Sequence, residues 1–375
     1  MHYLDNSATT PLCEQAKNAI ISSLDCFGNP SSLHLLGAES LIRLDKARAV
    51  IARSLSAQPS EIYFTSGGSE GNNMAVLGAA YARKREGKRI ITTAVEHHSV
   101  LRAMQRLEKD GFEVVYLKPE SNGAVTARQV SEALTPDTVL VSIMYVNNET
   151  GAIMPVSDIR KAISAAGSKA VFHCDCVQAY GKIPVSPRST GADIITVSGH
   201  KVHAPKGIGA VYIKNGCRVL PLINGGEQEK GMRAGTEATV LIDGFAAAVS
   251  AMPPLKSELA RITELRDGAV KKLRAIGGVT VNSPDSALPY IINFSVSGIR
   301  SEGMMHWLES RGIYVSSGSA CAKGEPSHVL AAMGTDRAAA DSAIRASMSH
   351  FTEQEDLDAL AEAVAEGIQK LRHIG

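Results

Sequence analysis

Between about residue 60 and residue 215, short apolar runs rich in β-branched residues alternate with segments of helical periodicity. This alternation is typical of a mostly parallel sheet with helices packed on both faces. The run Val139–Met144 shows no polar–apolar alternation, as expected for a strand covered on both sides. The sequence therefore predicts a doubly wound α/β domain with a mostly parallel seven-stranded sheet. Its predicted strands are Glu61–Thr65, Arg89–Thr93, Glu113–Leu117, Thr138–Met144, Ala170–Asp175, Asp193–Ser198 and Ala210–Lys214.

The chain changes character after about Thr239, where longer helical patterns replace the alternation. Pro253-Pro254 interrupts these patterns and is the expected domain boundary. We predict a large α/β domain over residues 15–253 and a smaller α+β domain over residues 254–375 together with residues 1–14. The predicted elements around and after the boundary are helices Leu241–Ala251 and Leu255–Ile276, strands near Ile291–Val296 and Gly312–Val315, and a helix from Glu353 to Arg372.

Composition narrows the class of protein. The 375 residues carry a formal net charge of +1, which gives no reason to expect direct nucleic-acid or membrane binding. No apolar run approaches the roughly 20 residues of a membrane span, and no secretory signal is visible at the N-terminus. The six cysteines include no C-x-x-C pair, which favours a reducing compartment. The expected location is the cytoplasm.

A lysine follows one of the predicted strands, and an aspartate ends another. Lys201 ends the run Ser198-Gly199-His200-Lys201, and Asp175 begins Asp175-Cys176-Val177-Gln178. A lysine amine can form a Schiff base with the aldehyde of pyridoxal phosphate (PLP). A buried carboxylate can keep the ring nitrogen protonated, so that the ring acts as an electron sink. Ligands bind at the carboxyl ends of strands in such sheets, where both residues lie. The pair therefore indicates a PLP site.

The turn Thr65-Ser66-Gly67-Gly68-Ser69 joins a predicted strand to a predicted helix. Backbone N–H groups at a helix N-terminus, unobstructed by side chains at the two glycines, form a site suited to a phosphate. The chain contains neither G-x-G-x-x-G nor G-x-x-x-x-G-K-[ST] at this turn, which disfavours a dinucleotide or a P-loop site. A single phosphate is the expected ligand.

Two cysteine-containing segments have different interpretations. In His173-Cys174-Asp175-Cys176, alternate side chains of a strand point in opposite directions, so we predict packed cysteines and no metal site. Cys321 instead lies among small residues in 316–324, which is typical of an exposed loop and compatible with a reactive thiol. Arg345 lies on a probable strand and, in an amino-acid enzyme, could bind a substrate carboxylate.

Ordered motifs along nearly the whole chain resemble those of the cysteine desulfurases, which belong to the class V aminotransferase group of PLP enzymes with fold type I. The matching segments are Leu4–Pro11, Phe27–Ser32, Val95–His98, Val146–Glu149, Ser198–Lys201, Gly231–Thr236, Gly318–Cys321 and Glu325–Ser327. The resemblance implies an enzyme that removes sulfur from L-cysteine, releases L-alanine and holds the sulfur as a persulfide on a loop cysteine.

The resemblance also assigns roles to individual residues. It implies that Lys201 carries the cofactor and that Cys321 receives the sulfur, while His97 stacks on the ring and transfers protons. The implied cofactor ligands are Gly68, Ser69, His97, Asp175 at the ring nitrogen, Gln178 at the ring hydroxyl, Ser198, His200, Lys201, and Thr236 toward the phosphate of a second subunit. Asn148 and Arg345 are expected to bind the substrate carboxylate. A homodimer with active sites at the interface follows from the role of Thr236.

Three questions stay open on the sequence. The acceptor is expected to be a protein, such as an iron–sulfur scaffold or a component of cofactor or tRNA thiolation, but the sequence does not identify it. Another class V enzyme, either an aminotransferase or a selenocysteine lyase, would share the lysine and the aspartate. Cys321 argues against an aminotransferase, because transamination needs no thiol nucleophile. A non-catalytic sulfur-carrier or scaffold protein with the same fold would be colourless when PLP is abundant.

Overall fold

The computed structural model describes residues 1–318 and 327–371. Its first part runs through the elements β1 His2–Tyr3, α1 Glu14–Ser23, α2 Leu35–Ser54, β2 Ile62–Thr65, α3 Gly68–Ala82, β3 Arg89–Thr93, α4 His98–Lys109, β4 Glu113–Leu117, α5 Ala127–Ala133, β5 Thr138–Ser142, α6 Val156–Ala165, β6 Val171–Asp175, α7 Pro187–Thr190, β7 Ile194–Ser198 and β8 Gly209–Ile213. The remaining elements are α8 Thr239–Ser250, α9 Leu255–Ala275, β9 Val279–Val281, β10 Ile291–Val296, α10 Ser301–Ser310, β11 Ile313–Tyr314, α11 His328–Ala332, α12 Arg337–Asp341, β12 Ala343–Ser347 and α13 Gln354–Leu371.

The seven predicted strands form one sheet with the order β2-β8-β7-β6-β5-β3-β4. Strand β8 runs antiparallel to both of its neighbours, and the other pairs are parallel. Every residue of the central strands β5, β6, β7 and β8 is buried, as expected for a sheet covered on both faces. The predicted α/β fold with a mostly parallel seven-stranded sheet is confirmed. Its topology brings the carboxyl ends of β2, β3, β5, β6 and β7 to one edge.

Helix α3 packs unusually close to this sheet. A Cβ atom on Gly71 would lie 2.7 Å from Cγ2 of Thr196 and 2.9 Å from Cγ2 of Val211, so the helix backbone itself contacts the strands. The close approach requires glycine at position 71 and places the first turn of α3 directly beside the ends of β6 and β7. The position of that turn decides the geometry of the site.

The C-terminal part forms an antiparallel sheet in the order β12-β10-β9, and β1 pairs with β11 in a separate parallel ribbon. Residues near the N-terminus contact this part: Ser347 N–H donates to the carbonyl of Leu4, and Asn6 Nδ2 donates to the carbonyl of Ser347. The next residues contact the large domain, where Thr10 and Cys13 donate to the carbonyls of His200 and His203, so the domain limits stay a prediction. Among the described residues, no helix combines the length and apolar character needed to cross a membrane.

Some element boundaries differ from the sequence prediction. Strand β5 ends at Ser142 rather than at Met144, whose backbone N–H donates to the buried carboxylate of Glu96. The short strands β1 and β9 were not predicted, because two or three residues carry too little periodicity to be recognised. Each becomes a strand only through its partner in the folded chain.

Candidate active site

A cavity of about 430 Å³ opens at the carboxyl edge of the large sheet. Ten of the predicted site residues line it: Gly68, Ser69, His97, Asn148, Asp175, Gln178, Ser198, His200, Lys201 and Arg345. They come from six separate segments of the chain. All except Arg345, which lies on β12 of the C-terminal sheet, meet because parallel strands end at the same edge. Of the two other predicted residues, Thr236 is not among the residues that line it, and Cys321 lies outside the described residues.

The first turn of α3 forms one wall of this cavity. Gly67 precedes the helix with a φ of 147°, and Gly68 is the first helical residue. A Cβ on Gly68 would lie 2.9 Å from Cγ2 of Val177, so only glycine leaves this wall open. The hydroxyl of Ser198 faces the same two glycines and is buried without a hydrogen-bond partner among the described residues. The N-terminus of α3 and the hydroxyl of Ser198 therefore lie at the same wall of the cavity, an arrangement suited to an anion.

Lys201 lies in a short 3₁₀ turn, Gly199–Lys201, that immediately follows β7. Its Nζ donates to the backbone carbonyls of Ser7 and Ala8, at 2.7 Å in the case of Ala8. Both carbonyls belong to the N-terminal segment. The sequence analysis did not predict that backbone carbonyls of this segment accept hydrogen bonds at the site. The amine is held within the cavity rather than in solvent.

Asp175 is the last residue of β6 and is 5% exposed. Its Oδ1 accepts the N–H of Val177 at 2.9 Å, and its Oδ2 accepts Nδ2 of Asn72 at 2.6 Å. Burial raises the pKa of this carboxyl, although the two hydrogen bonds and the charge of Lys201 act in the opposite direction. A cationic group in the cavity would stabilise the carboxylate, so Asp175 is suited to bind a protonated nitrogen.

Asn72 and Ser99 are functional candidates that the sequence analysis missed. Nδ2 of Asn72 also donates to Oγ of Ser99 at 2.9 Å, and that hydroxyl lies 2.8 Å from Nδ1 of His97. A continuous hydrogen-bond network thus runs from Asp175 to His97 beneath the cavity. The only signal in the sequence was a polar residue on the buried face of an otherwise apolar helix, which does not indicate its partner.

His97 caps the N-terminus of α4, where its Nδ1 accepts the backbone N–H of Ser99 at 3.2 Å. Because this acceptor is unprotonated, a neutral ring carries its proton on Nε2. Burial, followed by the charge of Lys201 and the nearby His98 and His328, lowers the pKa of His97 to about 4. His97 is therefore a neutral imidazole at physiological pH and can donate one hydrogen bond from Nε2.

Arg345 lies on β12 at the other end of the cavity and is 1% exposed. Its guanidinium donates to the carbonyl of Asn148 at 2.9 Å, to Asp5 at 3.0 Å and to Ser316 Oγ at 2.6 Å. Its Nε is buried without a partner in the described part of the chain. A buried, pre-positioned cation with one unused donor is suited to an anionic group, and Asn148 lies beside it.

Cys321 falls outside the described residues, so its predicted position is not tested. The chain leaves the described part at Gly318, three residues before Cys321, and resumes at Ser327. Both positions lie against the buried carboxylate of Glu149: Ser327 Oγ donates to Oε2, and a Cβ on Gly318 would lie 3.2 Å from the same oxygen. Glu149 follows Asn148, and it therefore joins both flanks of the Cys321 segment to the Arg345 end of the cavity.

Two further predictions concern residues away from the cavity centre. Thr236 is exposed on the surface and does not reach the cavity within this chain. Cys174 and Cys176 pack in the core with their Sγ atoms 3.6 Å apart. His173 points elsewhere and contacts Ser142 Oγ at 2.9 Å and Thr196 Oγ1 at 3.0 Å. Within the described residues, no group of three or more His, Cys, Asp or Glu side chains could hold a metal.

Comparison with known proteins defines the class. The family model for aminotransferase class-V matches residues 2–360, so this chain belongs to that family. Relatives within it are more specific: the chain is 42% identical to cysteine desulfurase IscS of Dictyoglomus turgidum, over 99% of this chain and 95% of that protein. It is 40% identical to putative cysteine desulfurase IscS 1 of Bacillus subtilis, over 98% and 99% of the two chains. The predicted family is confirmed.

Solved structures agree with this result. A NifS-like protein superposes with a TM-score of 0.92 at 36% identity, over 98% of this chain and 99% of that one. A structure described as SspA in complex with cysteine gives a TM-score of 0.83 at 35% identity, over 94% and 100% of the two chains. Class-V aminotransferases and cysteine desulfurases are PLP-dependent enzymes, so the predicted enzyme class is confirmed as well.

Proposed function

We propose that this protein is a PLP-dependent cysteine desulfurase that converts L-cysteine to L-alanine and holds the released sulfur as a persulfide on Cys321. The observation that carries the proposal is the convergence in one cavity of Lys201, the buried Asp175, an anion site and the buried Arg345. The named activity of the relatives at about 40% identity supports the same reaction.

The residues of the cavity fit PLP. The unpartnered hydroxyl of Ser198 and the open wall at Gly68 suit the phosphate, together with Ser69 and His200. Asp175 would hold the protonated ring nitrogen, and Gln178 would donate to the ring hydroxyl oxygen. When bound, PLP supplies an electron sink that makes the Cα proton of cysteine acidic and its sulfur electrophilic.

Lys201 is the residue that we propose to link to the cofactor and to move the Cα proton. Its amine donates hydrogen bonds to the carbonyls of Ser7 and Ala8. These carbonyls would hold the amine at the cavity wall whenever it is not linked to the cofactor. His97, neutral and protonated at Nε2, would remain available as a hydrogen-bond donor on the same side. Lys201 and His97 are therefore the residues proposed to transfer protons in the reaction.

Arg345 and Asn148 are proposed to bind the substrate carboxylate, which would orient the cysteine side chain. Nε of Arg345, which has no partner among the residues that the structure describes, is the donor for this purpose. Arginine forms strong, directional hydrogen bonds to carboxylates, and a buried arginine needs little reorganisation to do so. The carboxylate would then be held next to Glu149, which contacts both flanks of the Cys321 segment.

Cys321 is proposed to act as the nucleophile. Its thiolate would form a bond to the substrate sulfur while the substrate C–S bond breaks. A proton would then be added to the Cβ atom that has lost the sulfur. The sum is one thiol plus L-cysteine giving one persulfide plus L-alanine, which balances without an external oxidant or reductant. The persulfide sulfur would then pass to a protein acceptor, for example a scaffold for iron–sulfur cluster assembly or a component of thiolation pathways.

A homodimer is the proposed assembly. Eight of the fourteen large apolar side chains exposed in the described residues lie between positions 21 and 42: Ile21, Leu24, Phe27, Leu33, Leu35, Leu36, Leu41 and Ile42. Many large apolar side chains exposed in one short stretch of chain are typical of a protein interface. Pro30 and Ser31 line a depression together with Glu237, the neighbour of Thr236. A second copy seated on this surface would meet the segment that contains Thr236.

Location is the remaining part of the proposal. The cysteines of the described residues, at positions 13, 26, 174, 176 and 217, are free thiols. Free thiols are typical of proteins in a reducing compartment. This supports the cytoplasm as the site of action.

Incubation of the purified, PLP-loaded protein with L-cysteine tests the function, with alanine and sulfide or persulfide measured together. Equal amounts of alanine and transferable sulfur are expected, whereas keto acid without sulfur release would indicate an aminotransferase. Lys201→Ala should abolish turnover. Cys321→Ser should keep the yellow colour and bind L-cysteine, but form no persulfide. If mass spectrometry places the added sulfur atom on Cys174, Cys176 or Cys217 instead, the assignment of the nucleophile is wrong.

A further inference from the structure

Lys182 is a buried lysine to which the proposed reaction gives no role. It is 6% exposed and lies four residues after Gln178, in the segment that leads away from β6. In the described residues no Asp or Glu oxygen lies within ion-pair distance of its Nζ, which is 5.8 Å from the centroid of the Tyr290 ring. An apolar side chain of the same length would avoid the desolvation of a buried ammonium group. Stability alone therefore does not explain a lysine at this position.

The contact that Lys182 makes is with the side-chain amide of Gln178. Its Nζ donates to Oε1 of Gln178 at 3.2 Å. On the other side of the amide, Nε2 donates to the backbone carbonyl of Ser7 at 3.0 Å. A carbonyl oxygen can only accept, so the nitrogen must face Ser7 and the oxygen must face Lys182.

This arrangement determines what Gln178 presents to the cavity. The oxygen and nitrogen of a glutamine amide are nearly isosteric, and a rotation of the amide plane exchanges a donor for an acceptor. With Oε1 held by Lys182, one N–H of Nε2 is used by Ser7 and the second N–H is available to a ligand. An amide that turned over would direct its carbonyl oxygen at the same point.

We propose that Lys182 is a positioning residue that acts through Gln178: it holds the glutamine as a hydrogen-bond donor toward an anionic oxygen of the bound cofactor. The inference rests on the proposed function, in which Gln178 faces the ring hydroxyl oxygen of PLP. Burial, with smaller contributions from Lys201 and Arg345, lowers the pKa of Lys182 to about 7. Both protonation states of an amine carry an N–H, so the contact with Oε1 survives near neutral pH.

A double-mutant cycle on PLP affinity tests the proposal, with the apoprotein titrated with PLP and the dissociation constant read from the visible band. Lys182→Met and Gln178→Ala should each weaken PLP binding about tenfold, the effect of losing one hydrogen bond to a charged group. If Lys182 acts through Gln178, the double variant should bind PLP no more weakly than Gln178→Ala alone. The conservative variant Lys182→Arg, which keeps a donor, should recover most of the affinity.

A matched control separates positioning from charge. Lys206 is exposed and lines the same cavity, and within the described residues it forms no hydrogen bond with Gln178. Any effect of Lys206→Met should therefore add fully to that of Gln178→Ala. Additive effects for Lys182→Met, or wild-type affinity in that variant, would overturn the inference, as would equal non-additivity for Lys206→Met.

Folding and function are followed independently. The free energy of unfolding of the Lys182→Met apoprotein should equal or exceed that of the wild type, because a buried charge is removed at constant volume. If Lys182→Met did not fold, Lys182→Leu, which also removes the donor, would take its place in the same cycle. Absence of alanine formation by a wild-type protein that binds PLP would refute the proposed function, whereas additivity in the PLP titration refutes only the role of Lys182.

Discussion

Asn72 connects two groups to which we assign parts in the reaction, Asp175 and His97. We expect Asn72→Ala to lower the rate of alanine formation by about 10- to 100-fold. The amide donates to Asp175 at 2.6 Å and to Ser99 at 2.9 Å, and both bonds are buried. A hydrogen bond to a charged group contributes about 1.5–3 kcal/mol. At about 1.4 kcal/mol for each factor of ten, the first bond alone accounts for this range.

The physical reason lies in the carboxyl of Asp175. Its pKa is already raised by burial, and the hydrogen bond from Asn72 is one of the contacts that oppose this rise. Without that donor the pKa rises further, so Asp175 holds the ring nitrogen of PLP in its protonated form less well. The same substitution also removes the donor to Ser99, whose hydroxyl contacts Nδ1 of His97.

Steady-state alanine formation and the PLP dissociation constant should be measured together for Asn72→Ala. Asn73→Ala is the matched control, because it places the same substitution on the same helix. The side chain of Asn73 donates to backbone carbonyls of Ser69 and Ser99 but touches neither Asp175 nor His97. The control should retain turnover within about threefold of the wild type, since neither of its hydrogen bonds is to Asp175 or to the side chain of His97.

Two outcomes would refute this reasoning. The first is turnover by Asn72→Ala within about twofold of the wild type with full PLP occupancy, which would mean that Asp175 needs no second donor. The second is an equal loss in Asn72→Ala and Asn73→Ala, which would indicate a general defect of α3. Thermal unfolding of both apoproteins shows whether the helix itself is intact.

Three further predictions follow from other contacts. Ser198→Ala should weaken PLP binding about tenfold in an apoprotein titration, because its unpartnered hydroxyl is the proposed phosphate donor; unchanged affinity would remove that role. Burial lowers the pKa of His173 from 6.5 to about 3, so below pH 6.5 the unfolded state binds a proton that the folded state does not. The contribution of this histidine to the free energy of unfolding is therefore fully present above pH 6.5 and is lost as the pH falls toward 3. Between pH 8 and pH 5 this costs about 2 kcal/mol, and urea unfolding of His173→Gln should be less pH-dependent by that amount; an unaltered pH dependence would contradict it. Leu35→Asp should convert the dimer to a monomer in sedimentation, since Leu35 is 82% exposed in the apolar segment. Leu255, which is 37% exposed at the start of α9, is the control, and Leu255→Asp should leave the dimer intact. A monomeric wild type would refute the interface.

The strands of the large sheet could be predicted because their signal is local. Runs such as Val139–Met144 are apolar and β-branched at neighbouring positions, and a strand covered on both faces needs no other information. The meeting of Asp175 and Lys201 could be predicted for a related reason. Asp175 ends one strand and Lys201 follows another, and the ends of parallel strands meet whatever the length of the chain between them.

The partners of these residues could not be predicted in the same way. Asn72 and Asp175 are 103 positions apart, and their contact depends on how closely α3 approaches the sheet at Gly71. The carbonyl of Ser7 accepts hydrogen bonds from both Lys201 and Gln178. Every residue has a backbone carbonyl, so the residue type at position 7 does not indicate this role. The antiparallel direction of β8 and the pairing of the N-terminal segment with β12 likewise have no local signature.

The sequence by itself determined which side chains this protein has available for chemistry and at which strand ends they lie. Periodicity and residue type act over a few neighbouring positions, so they can be read without knowing the fold. The tertiary structure alone decided how those side chains are held: which are buried, which donate or accept, and which way the amide of Gln178 faces between Lys182 and Ser7. Burial and hydrogen bonding are properties of atoms brought together from distant parts of the chain, and they exist only once the chain has folded.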